Sequence, residues 1–265
     1  MSGAASERTV LGKTAAVLAA FTSEDTGLPL AELGRRTGLA KTTLHRLCGH
    51  LVETGFLERT GVEYRLGRQL FELGMRATVE RTLLEAATPY LEELRAAVHE
   101  TVHLGVRAGT EVVYVAKLAG HGQAPSPSRP GGRLGLHHTA IGKVLLAHAP
   151  SAVVVDVVAA GLVRRTPRTV TAPGVLVRQL AQVRAAGVAF EYEESRVGLV
   201  CVGAPVLDHG GQVVAAVSVA GPVSRFHPRS QVDRVRAAAD GISRALAVPV
   251  SGTRPVTRAA GTPHR

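Results

Sequence analysis

Residues 38–47 read GLAKTTLHRL, and the stretch runs on as CGHLVETG through residue 55. Leu44, Leu47, Cys48 and Leu51 recur at i, i+3, i+4 and i+7, so one stripe of a helix faces a core. At about 100° per residue, Thr42, Arg46 and Glu53 fall on the opposite side, flanked by Thr43 and His45. An ordinary solvated face carries Glu/Lys pairs. This one carries short hydroxyls and an arginine, the groups that reach base edges and phosphates. The helix alone does not separate the two readings; its neighbours do.

The preceding segment, LAELGRRT, reads as a short helix from Pro29, a residue suited to a first helical turn, to Gly38. Two helices crossing closely need a small residue at the crossing, and four positions on a residue tolerant of positive φ in the turn. Gly34 and Gly38 have that spacing. Leu44 and Leu47 stand six and nine residues past Gly38, facing back toward the first helix. After Gly55 comes FLERTGVEYRLG (56–67), which alternates about a Thr-Gly-Val-Glu turn as a two-stranded hairpin. A helix over 9–21, with Val10, Ala15, Val17, Leu18 and Phe21 on its apolar face, precedes the pair. Together these predict a winged helix-turn-helix that binds duplex DNA. The start of the recognition helix enters the major groove, which makes Lys41, Thr42, Thr43, His45 and Arg46 the DNA candidates. Arg46 is the bidentate reader of guanine, and Thr42 or Thr43 touches a thymine methyl or a phosphate. Arg59 and Arg65 flank the wing tip and are assigned to backbone phosphates. Arg35 and Arg36 read equally well as helix-surface charges.

Bulk charge adds little to this. The 265-residue chain is +10, but residues 1–67 hold eight Lys/Arg against seven Asp/Glu, so the excess is not concentrated on the helix-turn-helix. Only 4 of the 31 cations are lysine, so local placement carries the DNA argument. Two distant cysteines, Cys48 and Cys201, both in apolar runs, argue against a disulfide framework and for a reducing compartment. No apolar run reaches membrane-span length, and MSGAASERTV lacks a signal peptide's apolar core. A cytoplasmic protein with no membrane partner is expected.

Beyond the wing, QLFELGMRATVE (69–80) predicts a linker helix and LLEAATPYLEELRAAV (83–98) a second helical block. From residue 101 the period switches to two: TVHLGVR, a turn AGTE, then VVYVAKL. CVGAPVL, a turn DHGG and VVAAVSV repeat that design from residue 201. Between the hairpins lie a loop, GHGQAPSPSRPGGR (120–133), and helices beginning at Thr139 and Thr171. The fold class is therefore α+β, with hairpin-paired strands covered by helices. The expected divisions are 1–67 winged helix, 68–81 linker helix, 82–248 second domain, and 249–265 a disordered tail with three prolines and no apolar periodicity.

An enzyme reading has little to stand on. Cys201 beside His137, His138 or His209 would make a nucleophile pair, and Glu193–Glu194 an acid–base pair. Yet Cys201 lies in a continuous apolar strand with no nucleophile elbow, and the adjacent acids are explained by solvation or ion pairing. No His/Cys spacing forms a metal site. Neither catalytic residue, metal nor cofactor is expected.

From about residue 9 to 248 the chain resembles the isocitrate lyase regulator (IclR) family of bacterial transcription factors. GLAKTTLHRL, RLGRQLFELG, ETVHLGVRAGTEVVYV and HTAIGKVLLA carry the likeness. The most specific segment is RAAGVAFEYEESRVGLVCVGAPVLDHGGQVVAAVSVAGP, where glycines, acids, cysteine and proline fall in register. The resemblance implies a winged helix, a linker helix and a GAF-like effector domain, assembled as a homodimer or a tetramer of dimers on a pseudo-palindromic operator. It also implies a small carboxylate effector held by the amides of Ala140 and Ile141, with Glu191, Cys201 and Ser218 completing the pocket. The residues fit such a role: Thr139 precedes a helix whose free first-turn N–H groups form an anion site, and Gly142 permits close approach. Where relatives often have a second serine, this chain has Ala220, which argues against a very small 2-oxo acid and for an acid with an apolar body. The alternative keeps the fold but uses the second domain for oligomerisation alone.

Overall fold

A computed structural model describes residues 9–22, 25–74, 76, 78–120 and 126–247, with backbone alone at 78–81. The tail expected over 249–265 lies outside the described residues. The chain divides into two compact units, 1–82 and 83–265.

The first unit holds helices α1 (Val10–Ala19), α2 (Leu30–Thr37) and α3 (Lys41–Glu53), and strands β1 (Leu28–Pro29), β2 (Leu57–Thr60) and β3 (Glu63–Leu66). Leu44, Leu47, Cys48 and Leu51 pack with Val17, Leu28, Leu33, Leu57 and Tyr64 in one core, so the apolar stripe of α3 faces inward. Gly38 takes φ +68 and its N–H closes on the Gly34 carbonyl at 2.9 Å, which ends α2 and turns the chain into α3. A side chain there would be strained. Gly34 is less demanding than its spacing implied. A Cβ built on it would lie 3.7 Å from Leu44 Cδ2, ordinary contact distance, so the crossing admits alanine.

Three further expectations shift. Pro29 does not open α2 but precedes it, paired with Glu63 in a third strand of the wing sheet, order β1-β3-β2. Val10 is largely exposed, as is Leu11, so the buried face of α1 rests on Val17. The run expected as one linker helix is two, α4 (Arg68–Gly74) and the start of α5 (Thr78–Val98), with residues 75 and 77 outside the described set.

The second unit is a six-stranded antiparallel sheet, order β6-β5-β4-β9-β8-β7, from β4 (Thr101–Ala108), β5 (Glu111–Leu118), β6 (Arg133–Gly135), β7 (Ala189–Tyr192), β8 (Leu199–Leu207) and β9 (Val213–Pro222). Alternating residues send side chains to two faces. One face packs with α5 and α9 (Val232–Ala247) through Leu91, Val102, Val202, Val219 and Ile242. The other packs with α6 (Ala140–Ala147), α7 (Ser151–Ala159) and α8 (Pro173–Ala186) through Val112, Ile141, Leu146, Leu176 and Leu180. With both faces covered, β8 and β9 are nearly continuous buried runs rather than half-polar strands. All eight residues of α6 are buried, Lys143 included. The expected α+β architecture, a winged helix followed by a helix-flanked antiparallel sheet, is the one found.

Candidate functional site

The outward face of α3 presents Lys41, Thr42, His45 and Arg46 to solvent, with Thr43 half-buried at its side. Among the described residues none of Lys41, His45 and Arg46 forms an ion pair, so their charge and donors are available to a partner. Arg35 and Arg36 differ. Arg35 grips Glu32 through two bonds of 2.8 and 2.6 Å; Arg36 holds both Asp25 oxygens and donates to the Ala20 carbonyl. Arg36 thereby binds α2 to the end of α1, while Arg35 stays paired within α2. Beside the two arginines the Glu32 carboxyl is held down at about 2.

The wing separates its two arginines. Arg59 is opposite Tyr64 in the ladder and Arg65 opposite Glu58, which puts the pairs on alternate faces of the hairpin. Arg59 lies over the Tyr64 ring at 5.9 Å and donates to the Gly61 carbonyl at 3.1 Å, which steadies the wing tip. Arg65 is exposed.

In the second unit, two adjacent rows of cross-strand neighbours share a sheet face. One runs Glu191, Cys201, Ala220, Thr101; the next runs Gly203, Ser218, His103, Lys117. The start of α6 sits over Gly203, where a Cβ would meet Ala140 carbon atoms at 3.4–3.5 Å. Ala140, Ile141, Glu191, Cys201 and Ser218 are thereby brought around one cavity, together with His103, Tyr114, Ser128, Thr139 and Ala220. The cavity holds about 20 Å³, the space of a single water.

Its donors come from the helix end. Thr139 Oγ1 accepts from Gly142 N at 3.0 Å, and Lys143 N closes on the Thr139 carbonyl at 2.9 Å. The amides of Ala140 and Ile141 come before those bonds and have no residue within the helix to donate to. Gly142 serves the protein rather than a ligand: a Cβ there would lie 2.4 Å from the Leu136 carbonyl oxygen and 2.6 Å from Thr139 Oγ1. The close approach expected at this glycine is made by the preceding turn.

On the facing wall, Glu191 Oε1 accepts from the amides of Glu194 (2.7 Å) and Ser195 (3.0 Å), and Oε2 accepts from the Cys201 thiol at 2.8 Å. Burial pushes the Glu191 carboxyl up to about 7 against the pull of these bonds. Burial also raises the Cys201 thiol and the Tyr114 phenol, and lowers His103 to about 3, so the His103 imidazole is neutral. His103 Nε2 lies 2.7 Å from Ser128 Oγ, and the Lys117 ammonium donates to the Ser128 carbonyl at 2.8 Å; these bonds fasten segment 126–128 over the cavity.

His103, Tyr114 and Ser128 were not singled out from sequence. Alternation along β4 puts His103 on the face opposite Val102 and Leu104, but that pattern alone does not say whether the face is covered. Lys143 was missed as well: buried 2.5 Å from Glu194, it joins α6 to the turn after β7 and supplies the ion pairing expected of the adjacent acids. Of the acid pair, Glu193 instead meets Arg168 at 3.2 Å. His137 Nε2 donates to the Val163 carbonyl (3.1 Å) while the Cys201 thiol donates to Glu191, so the expected nucleophile pair is not formed between them. No group of three or more potential metal ligands occurs among the described residues, and none of their helices is long and apolar enough to cross a membrane.

Residues 10–61 match the IclR helix-turn-helix domain, and residues 75–244 match the bacterial transcriptional regulator IclR C-terminal domain. The chain is 34% identical over 240 residues to the HTH-type transcriptional regulator XynR of Escherichia coli (strain K12), covering 88% of this chain and 95% of that protein. It is 36% identical over 187 residues to the HTH-type transcriptional repressor AllR of Klebsiella pneumoniae, 69% of each chain. Among solved structures, an IclR homolog complexed with 4-hydroxybenzoate from Microbacterium hydrocarbonoxydans superposes with TM-score 0.84 at 32% identity, over 90% of this chain and 99% of that one. These relatives are regulators rather than enzymes. A helix-turn-helix with a bare polar outer face, joined to a helix-flanked antiparallel sheet and matched along nearly its whole length, places this chain in the IclR family of bacterial transcriptional regulators.

Proposed function

We propose that the protein is a cytoplasmic regulator whose operator affinity is set by a small organic acid bound at the N-terminus of α6. The observation that carries this is the convergence of two helix-end amides, Ala140 and Ile141, with the Ser218 hydroxyl on one buried cavity. The helix end supplies donors and a favourable dipole for a carboxylate. Ala220, Leu134 and Leu199 supply an apolar surface for the rest of the molecule. An aromatic acid suits both halves, as does the 4-hydroxybenzoate of the related Microbacterium protein. Its ring exceeds 20 Å³, so the binding-competent arrangement is an opened one, and the apparent affinity is the intrinsic affinity scaled down by the fraction of molecules in it. The irregular segment 126–128 is the wall that yields, because hydrogen bonds rather than a sheet ladder hold it.

On DNA, Lys41, Thr42, Thr43, His45 and Arg46 face the major groove, while Arg65 and Arg59 serve phosphates from the two faces of the wing. A homodimer on a pseudo-palindrome supplies the length of sequence that one helix cannot read alone. Exposed Val10, Leu11 and Phe71 in the first unit supply apolar surface for it. An acid alters operator affinity only by binding the DNA-competent and incompetent states differently.

A second reading, a C-terminal domain serving assembly alone, is favoured by the smallness of the cavity. Calorimetric titration with benzoate and 4-hydroxybenzoate, alongside operator binding, separates the two. The effector reading expects binding to the wild type, about 1–2 kcal/mol weaker in Ser218→Ala through the lost hydrogen bond, and blocked in Ala140→Trp. Wild-type affinity in Ala140→Trp places the site elsewhere; no response to any organic acid supports assembly alone.

A further inference from the structure

The cavity at Ala140 has room for one water, about 20 Å³, so an organic acid enters it only by displacing a wall. Most of the walls are fixed. His103, Tyr114, Cys201 and Ser218 stand on paired strands, and α6 is buried along its whole length. The turn at Glu194 and Ser195 is bonded through its amides to the Glu191 carboxylate. Residues 126–128, by contrast, belong to no strand or helix. Side chains fasten them: Ser128 Oγ lies 2.7 Å from His103 Nε2 and 2.7 Å from Ser126 Oγ, and Lys117 Nζ donates to the Ser128 carbonyl at 2.8 Å. His103 is the fixed end of the first of these bonds and lines the cavity itself. When the segment withdraws, the Ser128 hydroxyl leaves with it. Nε2 of a buried imidazole is then left to the incoming ligand, and a buried nitrogen without a partner disfavours the complex.

We propose that His103 selects the effector by exchanging the Ser128 hydroxyl for one carried by the ligand, so that the effector is a ring-bearing hydroxy acid with its hydroxyl on the side away from the carboxylate. This rests on the carboxylate lying at the amides of Ala140 and Ile141. Burial holds the imidazole near 3, with the Lys117 ammonium acting in the same direction, so it is neutral and offers no counter-charge to a second carboxylate. A neutral imidazole presents Nε2 as a donor in one tautomer and an acceptor in the other. A hydroxyl serves both, as that of Ser128 does in the closed cavity; a methyl group serves neither. The strand ladder sets the reach. Gly203 lies beneath Ala140 and pairs with Ser218, which pairs with His103. The His103 backbone is therefore two strand spacings, about 10 Å, from the carboxylate end. A ring bearing its two polar groups on opposite sides, with a hydrogen bond at each end, bridges that gap; a short 2-hydroxy acid does not.

His103 and Ser128 then have separable effects. Ser128 is displaced whichever acid binds, so the ratio of affinities between a hydroxy acid and its methyl isostere is set at His103. Ser128 instead contributes to the cost of opening, which every ligand meets equally.

The test is calorimetric titration of the full-length protein with 3- and 4-hydroxybenzoate, each against the methylbenzoate of the same substitution, and with terephthalate. At least one hydroxybenzoate should bind the wild type about fivefold or more tightly than its methyl counterpart and than terephthalate, the worth of one neutral hydrogen bond. His103→Phe should abolish that preference while still binding the methylbenzoate. Ser128→Ala should tighten both acids by the same factor and preserve their ratio, and it decides the matter if His103→Phe fails to fold. A methylbenzoate or terephthalate that binds the wild type as tightly as the hydroxybenzoate overturns selection by His103 and leaves the acid site at Ala140 standing. So does a preference that survives in His103→Phe. Weaker hydroxybenzoate binding in Ser128→Ala overturns the exchange, because Ser128 would then hold the ligand rather than yield to it. Binding of none of these acids removes both this inference and the effector site on which it rests.

Discussion

Replacing Glu191 with glutamine isolates the one group in the first cavity that changes charge near neutral pH. Four ionisable side chains line it. His103 stays neutral because burial holds it near 3, and the Cys201 thiol and Tyr114 phenol are pushed up. Glu191 rises from 4.5 to about 7. Its folded-state pKa lies above the unfolded one, so the native protein holds the proton more tightly. That contribution is complete below pH 4.5, fades as pH rises, and is gone above about 7. At about 1.4 kcal/mol per pH unit the whole span is worth about 3 kcal/mol. Glutamine keeps an oxygen for the Glu194 and Ser195 amides, while its NH2 meets Cys201, whose sulfur must then accept instead of donate. The change of sulfur partner is a constant offset; the pH-dependent part disappears.

Urea denaturation of wild type and Glu191→Gln, followed on the C-terminal domain between pH 5 and 8, reads this directly. Wild type should lose about 2–3 kcal/mol relative to the variant across that range, with the difference levelling off above pH 7. An aromatic monocarboxylate should show the same break, binding wild type progressively more weakly above pH 7 as the ionised Glu191 opposes it, and binding the variant evenly. Parallel stability curves for the two proteins would refute the assignment of a titrating carboxyl at residue 191.

On the DNA side, Arg46→Ala should cost about 1–3 kcal/mol and relax discrimination at one base per half-site, whereas Arg65→Ala should weaken all sequences alike and flatten the salt dependence; unchanged base preference in Arg46→Ala, measured on a mutated-operator panel, counts against the groove assignment. Gly38→Ala should destabilise the first unit by about 1–2 kcal/mol because of its left-handed φ, while Gly34→Ala, with its Cβ 3.7 Å from Leu44, should be neutral or stabilising; thermal unfolding that ranks them the other way is the contrary result. Lys143→Met strands the buried Glu194 charge and should cost about 3–5 kcal/mol, much of it recovered by adding Glu194→Gln; a double variant as unstable as the single one would show that the pair is not the reason.

What was legible in the sequence was periodic or set by fixed offsets. The stripe of Leu44, Leu47, Cys48 and Leu51, the turn at Gly38 and the wing hairpin are local, since each rests on residues within one or two turns or one β-turn. The strands from 101 and 201 were legible for the same reason. Residues 151–159, SAVVVDVVA, were not: five valines favour a strand locally, and packing of Val157 against the α6–α8 layer makes them a helix. Site chemistry divides along the same line. A helix N-terminus at Thr139 announces free first-turn amides wherever it lies, and the resemblance to the family then pointed to those of Ala140 and Ile141. Lys143 and His103 acquire their meaning from residues far along the chain. Lys143 is the one cation in an otherwise apolar helix, and its counter-charge is 51 residues away; His103 is a single strand residue whose bonding partner is 25 residues on. Nothing in either local pattern separates a buried, paired side chain from a solvated one.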